Sequence, residues 1–183
     1  MLIAELLALS LSSSEFLPGL FTSGGKTSRL ALGITAGLSA GIFEELGWTG
    51  FAVPRLRLRH GVVATGLIVG VLWGAWHILA NVIFARGAYS GGLSPALFIV
   101  ARGFCDLTGI LPAYRVLMVW VYDRTGSLLV AVLMHVSLTA GTIIFEPQGI
   151  AGIPLLIYDI ASSAAMWAVV AAVVAAHRGR PLT

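Results

Sequence analysis

The chain has 183 residues, 58% of them hydrophobic and 10% charged, where a soluble domain has ~45–50% apolar and ~25% charged residues. With a mean hydropathy of +0.95, that excludes a soluble globular domain and predicts an all-α, polytopic transmembrane bundle of about five or six spans of ~20 residues each. The formal net charge of +3 comes from basic residues placed between and after apolar segments, where they orient a chain in a bilayer and imply no nucleic-acid partner.

Met1 to Leu20 begins apolar but carries Glu5, Glu15 and the run Ser12-Ser13-Ser14. It lacks the basic leading region and small-residue cleavage site of a signal peptide, and reads as an imperfect first span or an interfacial helix. Thr22 to Ser28, with Gly24-Gly25, reads as a loop. Leu30 to Val53 is a span that Pro54 is expected to end, since proline lacks a donor and disfavours helix at the residue before it. Arg55, Arg57 and Arg59 crowd the turn that follows, which the positive-inside rule places in the cytoplasm.

Val62 to Phe84 is the clearest span, and Gly66, Gly70 and Gly74 on one face let a neighbouring helix approach closely. Ala85 to Ser94 reads as a loop. Pro95 to Tyr122 is interrupted by Arg102, Asp106, Gly109, Pro112 and Arg115. It is expected to form a short interfacial or re-entrant piece and then a span from about Leu107. Asp123 to Gly126 reads as a tight turn, Ser127 to Phe145 as a span, Glu146 to Gly149 as a turn, and Ile153 to Ala176 as the last span. The basic tail with Arg178 and Arg180 is then cytoplasmic, in a multi-pass integral membrane protein. Lys26 and Arg29 fall on the outer side. The single Cys105 carries no redox or thiolate-metal signature and is expected to pack.

Charge inside the apolar spans is the chemical signal. Glu44 and Glu45 sit mid-span, where a carboxylate costs ~2.5–3.5 kcal/mol, so an intramembrane acid points to a functional site. At the helical rise they lie ~15 Å along the helix from Arg55, His77 lies ~22 Å from Val62, and His135 lies ~12 Å from Ser127. Allowing for tilt, these depths are similar, so side chains from three predicted helices can meet. Trp73, His77 and Asn81 share a face, as do His135 and Thr139. A carboxyl raised in pKa by desolvation beside an imidazole is a competent general base. Arg115 is expected to snorkel to an interface or to pair with Asp106, and Asp159 is a candidate for helix–helix bonding.

The stretches Glu44-Glu45-Leu46-Gly47-Trp48-Thr49, Trp73-Gly74-Ala75-Trp76-His77 and His135-Val136-Ser137-Leu138-Thr139 occur in that order. So do the flanks Gly50 to Leu56 and Asp123 to Leu129. Together they resemble the CPBP family of intramembrane proteases, which includes type II CAAX prenyl endopeptidases and abortive-infection or bacteriocin-immunity proteins. The resemblance implies a protease domain over 30–176, preceded by an apolar segment and loop over 1–29 and followed by a basic tail over 177–183.

It also implies an endopeptidase in which Glu44 with His77 activates a water, while His135 and Thr139 stabilise the oxyanion. Glu45, Trp73 and Asn81 support the site. The implied substrate is a hydrophobic or prenylated peptide or protein held in membrane lipid, in a prokaryotic plasma membrane. No cofactor is favoured. Zinc is left open, with Glu44, His77 and His135 as its ligands. Thr49 stands where the family carries Arg, and Thr139 where it often carries Asn. The rival readings are a non-catalytic immunity or scaffold protein of the same fold and, more distantly, a small transporter using the carboxylates as a proton relay.

Overall fold

Every regular element among the described residues of the computed structural model, 1–84, 89 and 92–176 with the side chains of 80–84 excepted, is helical. The helices are α1 (Leu2–Ser10), α2 (Gly19–Thr22), α3 (Lys26–Gly47), α4 (Val53–Arg57), α5 (Val62–Phe84), α6 (Pro95–Thr108), α7 (Ile110–Thr125), α8 (Leu128–Phe145) and α9 (Gly152–Ala176). Among the described residues, five helical runs are long and apolar enough to cross a membrane: Lys26–Arg57, Val62–Leu79, Pro95–Thr125, Leu128–Phe145 and Gly152–Ala176. The protein is an integral membrane protein.

The N-terminal segment does not form a span. α1 has 9 residues, ~14 Å of helix against a ~30 Å hydrocarbon core. The serine run stops it. The hydroxyls of Ser10 and Ser12 donate to the carbonyls of Leu7 and Leu9, and the Ser13 hydroxyl accepts from the Glu15 amide to start a single 3-10 turn. Side chains that bond their own backbone in this way compete with helix continuation.

The first apolar span is longer than the sequence suggested at both ends. It starts at Lys26 within the expected loop, and Pro54 does not end it. Between Gly47 and Val53 the helix widens into a π turn over Trp48–Ala52, in which the Val53 amide donates to the carbonyl of Trp48. A proline in regular α-helix collides with the carbonyl four residues before it. Widening the turn ahead of Pro54 displaces that carbonyl, so helix resumes as α4.

Asp123, Arg124 and Thr125 are likewise the last turn of α7, not a separate tight turn. The reversal falls on Gly126, whose φ of 60° suits glycine. Ser127 then caps α8 by accepting from the Val130 amide. The expected break in the third run falls at Gly109, between α6 and α7. The loop expected over 85–94 lies mostly outside the described residues, as does the basic tail.

The chain forms two compact units, Met1–Pro54 with Val121–Ile150, and Arg55–Trp120 with Ala151–Thr183. In the first, α3 packs along α8. In the second, Gly66, Gly70 and Gly74 do what their spacing predicted: a Cβ there would lie 2.5 Å from Val116 Cα, 2.5 Å from Pro112 Cα and 2.1 Å from the Asp106 carbonyl oxygen. Ala113, Val116, Met166 and Val170 form the core of this unit, between α7 and α9. The Arg102–Asp159 ion pair, at 3.3 Å, ties α6 to α9.

Candidate functional site

The site is built on one stripe of α3. Gly33, Gly37, Gly41, Glu45 and Thr49 follow at four-residue spacing, and all five are buried. The glycines set the distance to α8. A Cβ on Gly33 would lie 2.6 Å from the Ile144 side chain, one on Gly37 2.9 Å from the Val136 carbonyl oxygen, and one on Gly41 2.7 Å from the Val136 side chain. The two backbones are therefore nearly in contact, as small-residue interfaces in membranes allow.

Arg29 fixes the register at the far end. Its Nε donates to the Ile144 carbonyl at 2.8 Å and its Nη2 to the carbonyl of Glu146. A cation there meets the negative end of the α8 dipole.

Next along the stripe, Glu45 meets α8 through His135. Their Oε1 and Nδ1 are 2.6 Å apart, and both side chains are buried, at 0% and 2% exposure. The other carboxylate oxygen of Glu45 accepts from the Thr49 hydroxyl. Against an ionised Glu45, which can only accept, His135 would carry its proton on Nδ1 and present Nε2 on its other side. It faces Glu44: Nε2 lies 3.9 Å from Glu44 Oε2, and the Glu44 side chain is 26% exposed. One glutamate is thus locked behind the imidazole and the other stands in front of it. Thr139 follows on α8, one turn after His135 and half-buried.

His77 and Trp73 belong to the second unit. The indole is buried and meets the half-buried imidazole edge-on, with ring centroids 5.3 Å apart and planes at 89°, so the expected aromatic wall is present. His77 Nδ1 lies 3.0 Å from the Trp73 carbonyl oxygen. A carbonyl can only accept, so this ring too holds its proton on Nδ1. Arg115 does not snorkel. It is fully buried, with its guanidinium 4.3 Å from the centre of the Trp73 ring, a cation–π contact that compensates part of the desolvation. The Asn81 side chain lies outside the described residues.

A family model described as type II CAAX prenyl endopeptidase Rce1-like matches residues 26–141, more than half of the chain and the whole stretch from Glu44 to Thr139. The chain belongs to this family. As an Rce1-like protein it is also similar to CAAX prenyl protease 2 of Methanococcus maripaludis, at 26% identity over 98 residues, which are 54% of this chain and 35% of that relative. The chain thus spans about a third of the length of the curated relative that it matches. No solved structure matches.

Within the Rce1-like match, sequence reading missed what places the acids. The Gly33-Gly37-Gly41 stripe was visible as a small-residue repeat, and Glu45 and Thr49 continue its spacing. The bond from Thr49 to Glu45 had no sequence signal beyond that four-residue interval. Zinc is the metal that the family resemblance leaves open, with Glu44, His77 and His135 as its ligands. Tetrahedral legs of ~2.0–2.2 Å would hold two ligand atoms about 3.3–3.5 Å apart, closer than the 3.9 Å between Glu44 and His135. Among the described residues no group of three or more His, Cys, Asp or Glu side chains could hold a metal ion.

Proposed function

We propose that this protein is an intramembrane endopeptidase that hydrolyses a peptide bond in a hydrophobic or prenylated substrate, using a water activated by Glu44 and His135. The observation that carries the reading is the order Thr49–Glu45–His135–Glu44 within the matched region, with a 3.9 Å interval at its front. A water with hydrogen-bond legs of ~2.8 Å bridges such an interval.

That water donates one hydrogen to Glu44 Oε2 and the other to His135 Nε2, which turns an oxygen lone pair toward the substrate. As the oxygen attacks the peptide carbonyl carbon, its proton passes to Glu44 and the carbonyl electrons move onto the oxygen. Collapse of the tetrahedral intermediate breaks the carbon–nitrogen bond. Glu44 then returns the proton to the leaving amine, so acid and base are the same residue. Glu45 keeps the imidazole turned and its Nδ1 proton in place.

His135 is thereby a partner of the water and not an oxyanion donor, because its only N–H in the neutral ring is given to Glu45. Thr139 is the donor assigned to the oxyanion. The basic residues Arg55, Arg57 and Arg59 support a cytoplasmic position for that side and for the C-terminus, in a prokaryotic plasma membrane.

The test is cleavage of a prenylated CAAX peptide, and of an unprenylated hydrophobic one, by the purified protein in detergent. Glu44→Gln keeps the volume and most hydrogen bonding but cannot take a proton, so turnover should fall by ~10²- to 10⁴-fold. Equal turnover by the variant would discard the mechanism. No turnover by the wild type on either peptide would favour a non-catalytic scaffold of the same fold.

A further inference from the structure

We infer that Thr49 is a positioning residue for this site. It acts through Glu45 to keep His135 in the tautomer that presents a lone pair to the nucleophilic water. This rests on the proposed roles of Glu44 and His135 and extends them to a residue outside that reaction.

The argument begins with burial. Glu45 and Thr49 are both buried, at 0% and 1% exposure, and a carboxylate taken out of water needs its oxygens satisfied. One oxygen is held by His135 Nδ1 and the other by the Thr49 hydroxyl. Thr49 reaches that oxygen because it lies four residues on from Glu45, one turn along the same face. It sits inside the π turn Trp48–Ala52, and such turns frequently mark functional positions in helices.

A neutral Glu45 would behave differently. Its O–H would donate to His135 Nδ1, and the ring proton would move to Nε2. The imidazole would then point an N–H at Glu44, and the water would lose an acceptor. The Thr49 hydroxyl stabilises the acceptor-only form of Glu45, and so selects between the two arrangements while touching neither water nor substrate.

The experiment compares Thr49→Val, which keeps the shape without the hydroxyl, with Thr49→Ser, which keeps the hydroxyl. In Thr49→Val, kcat should fall about 10- to 100-fold, the scale of one hydrogen bond to a charged group, with KM within about twofold. Thr49→Ser should restore most of it. The ¹⁵N spectrum of ring-labelled His135 should show protonation at Nδ1 in the wild type and Thr49→Ser, and at Nε2 in a substantial fraction of Thr49→Val. This reading does not depend on turnover, and a helical melting curve shows that each variant is folded. Wild-type kcat and an unchanged Nδ1 signal in Thr49→Val would overturn the inference, and if Glu44→Gln is inactive the water mechanism survives. An active Glu44→Gln would remove that mechanism, while the tautomer shift would still report what Thr49 does.

Discussion

Glu45 Oε1 and His135 Nδ1 lie 2.6 Å apart between residues 90 positions apart in the chain, with both side chains buried. This contact joins α3 to α8 through charged groups beside a stretch of the same interface where Gly33, Gly37 and Gly41 meet Ile144, Ala140 and Val136. Its strength comes from its isolation. In a low-dielectric setting the attraction is large only because desolvation has already been incurred, and removing one partner leaves the other buried without it.

The first prediction concerns that asymmetry. Glu45→Ala and His135→Ala should each lower stability by ~3–5 kcal/mol, while the double variant should lose much less than the sum. Thermal or denaturant unfolding in detergent measures the cycle. Additive losses would mean that the two side chains stabilise the fold independently.

The second concerns the glycine stripe. A methyl group at Gly37 would lie 2.9 Å from the Val136 carbonyl oxygen and 3.1 Å from Ala140 Cβ, whereas one at Gly47 meets nothing within 4 Å. Gly37→Ala should therefore part the helices, destabilise the protein by ~1–3 kcal/mol and reduce turnover by moving Glu45 away from His135. Gly47→Ala, in ordinary helical backbone, should stabilise by ~0.5–1 kcal/mol. Melting curves that rank the two variants the other way would break the argument from close approach.

These two glycines also show what the sequence disclosed. Hydropathy located the membrane helices because a ~20-residue apolar run has few alternatives in a bilayer, and the limits of α5 are the expected ones. Glu44, Glu45, His77 and His135 stood out because charge in such runs is costly. What stayed hidden depended on partners distant in sequence. Pro54 reads locally as a stop, and only the π turn ahead of it lets the helix pass. Arg115 reads as a cation that snorkels or pairs with Asp106, and the face of Trp73 beside it has no signal in the sequence. Arg29 has no assigned partner in the sequence until α8 ends beside it. The choice of Glu45 over Glu44 as the locked acid follows from which of the two continues the glycine stripe.

A third prediction follows from Arg29. Its two bonds to the carbonyls of Ile144 and Glu146 close the C-terminal end of α8, where a cation also meets the helix dipole. Arg29→Ala should cost about 1–2 kcal/mol, and Arg29→Lys, which retains the charge without the planar fork, should recover part of it. Hydrogen exchange should localise the loss to the last turn of α8, leaving amides near His135 protected. Uniform loss of protection along α8 would show that Arg29 supports the whole helix and not its end.

The last prediction separates two ways of activating water. Glu44 Oε2 and His135 Nε2 are 3.9 Å apart, within the ~4.6 Å that two ~2.8 Å hydrogen bonds span at a tetrahedral water and beyond the about 3.3–3.5 Å that two legs to tetrahedral zinc allow. The proposed base is the Glu44 carboxylate itself, so nothing in the proton path requires a Lewis acid. Turnover of a prenylated peptide by the purified protein should therefore be unchanged after prolonged chelation and dialysis, and should not rise when zinc is added back. Glu44→Gln should stay inactive under both conditions, which ties the activity to the proton acceptor. If chelation abolishes turnover and zinc restores it, Glu44 is a ligand instead of the base, and His135 must draw closer to it than the apposition of α3 and α8 now sets.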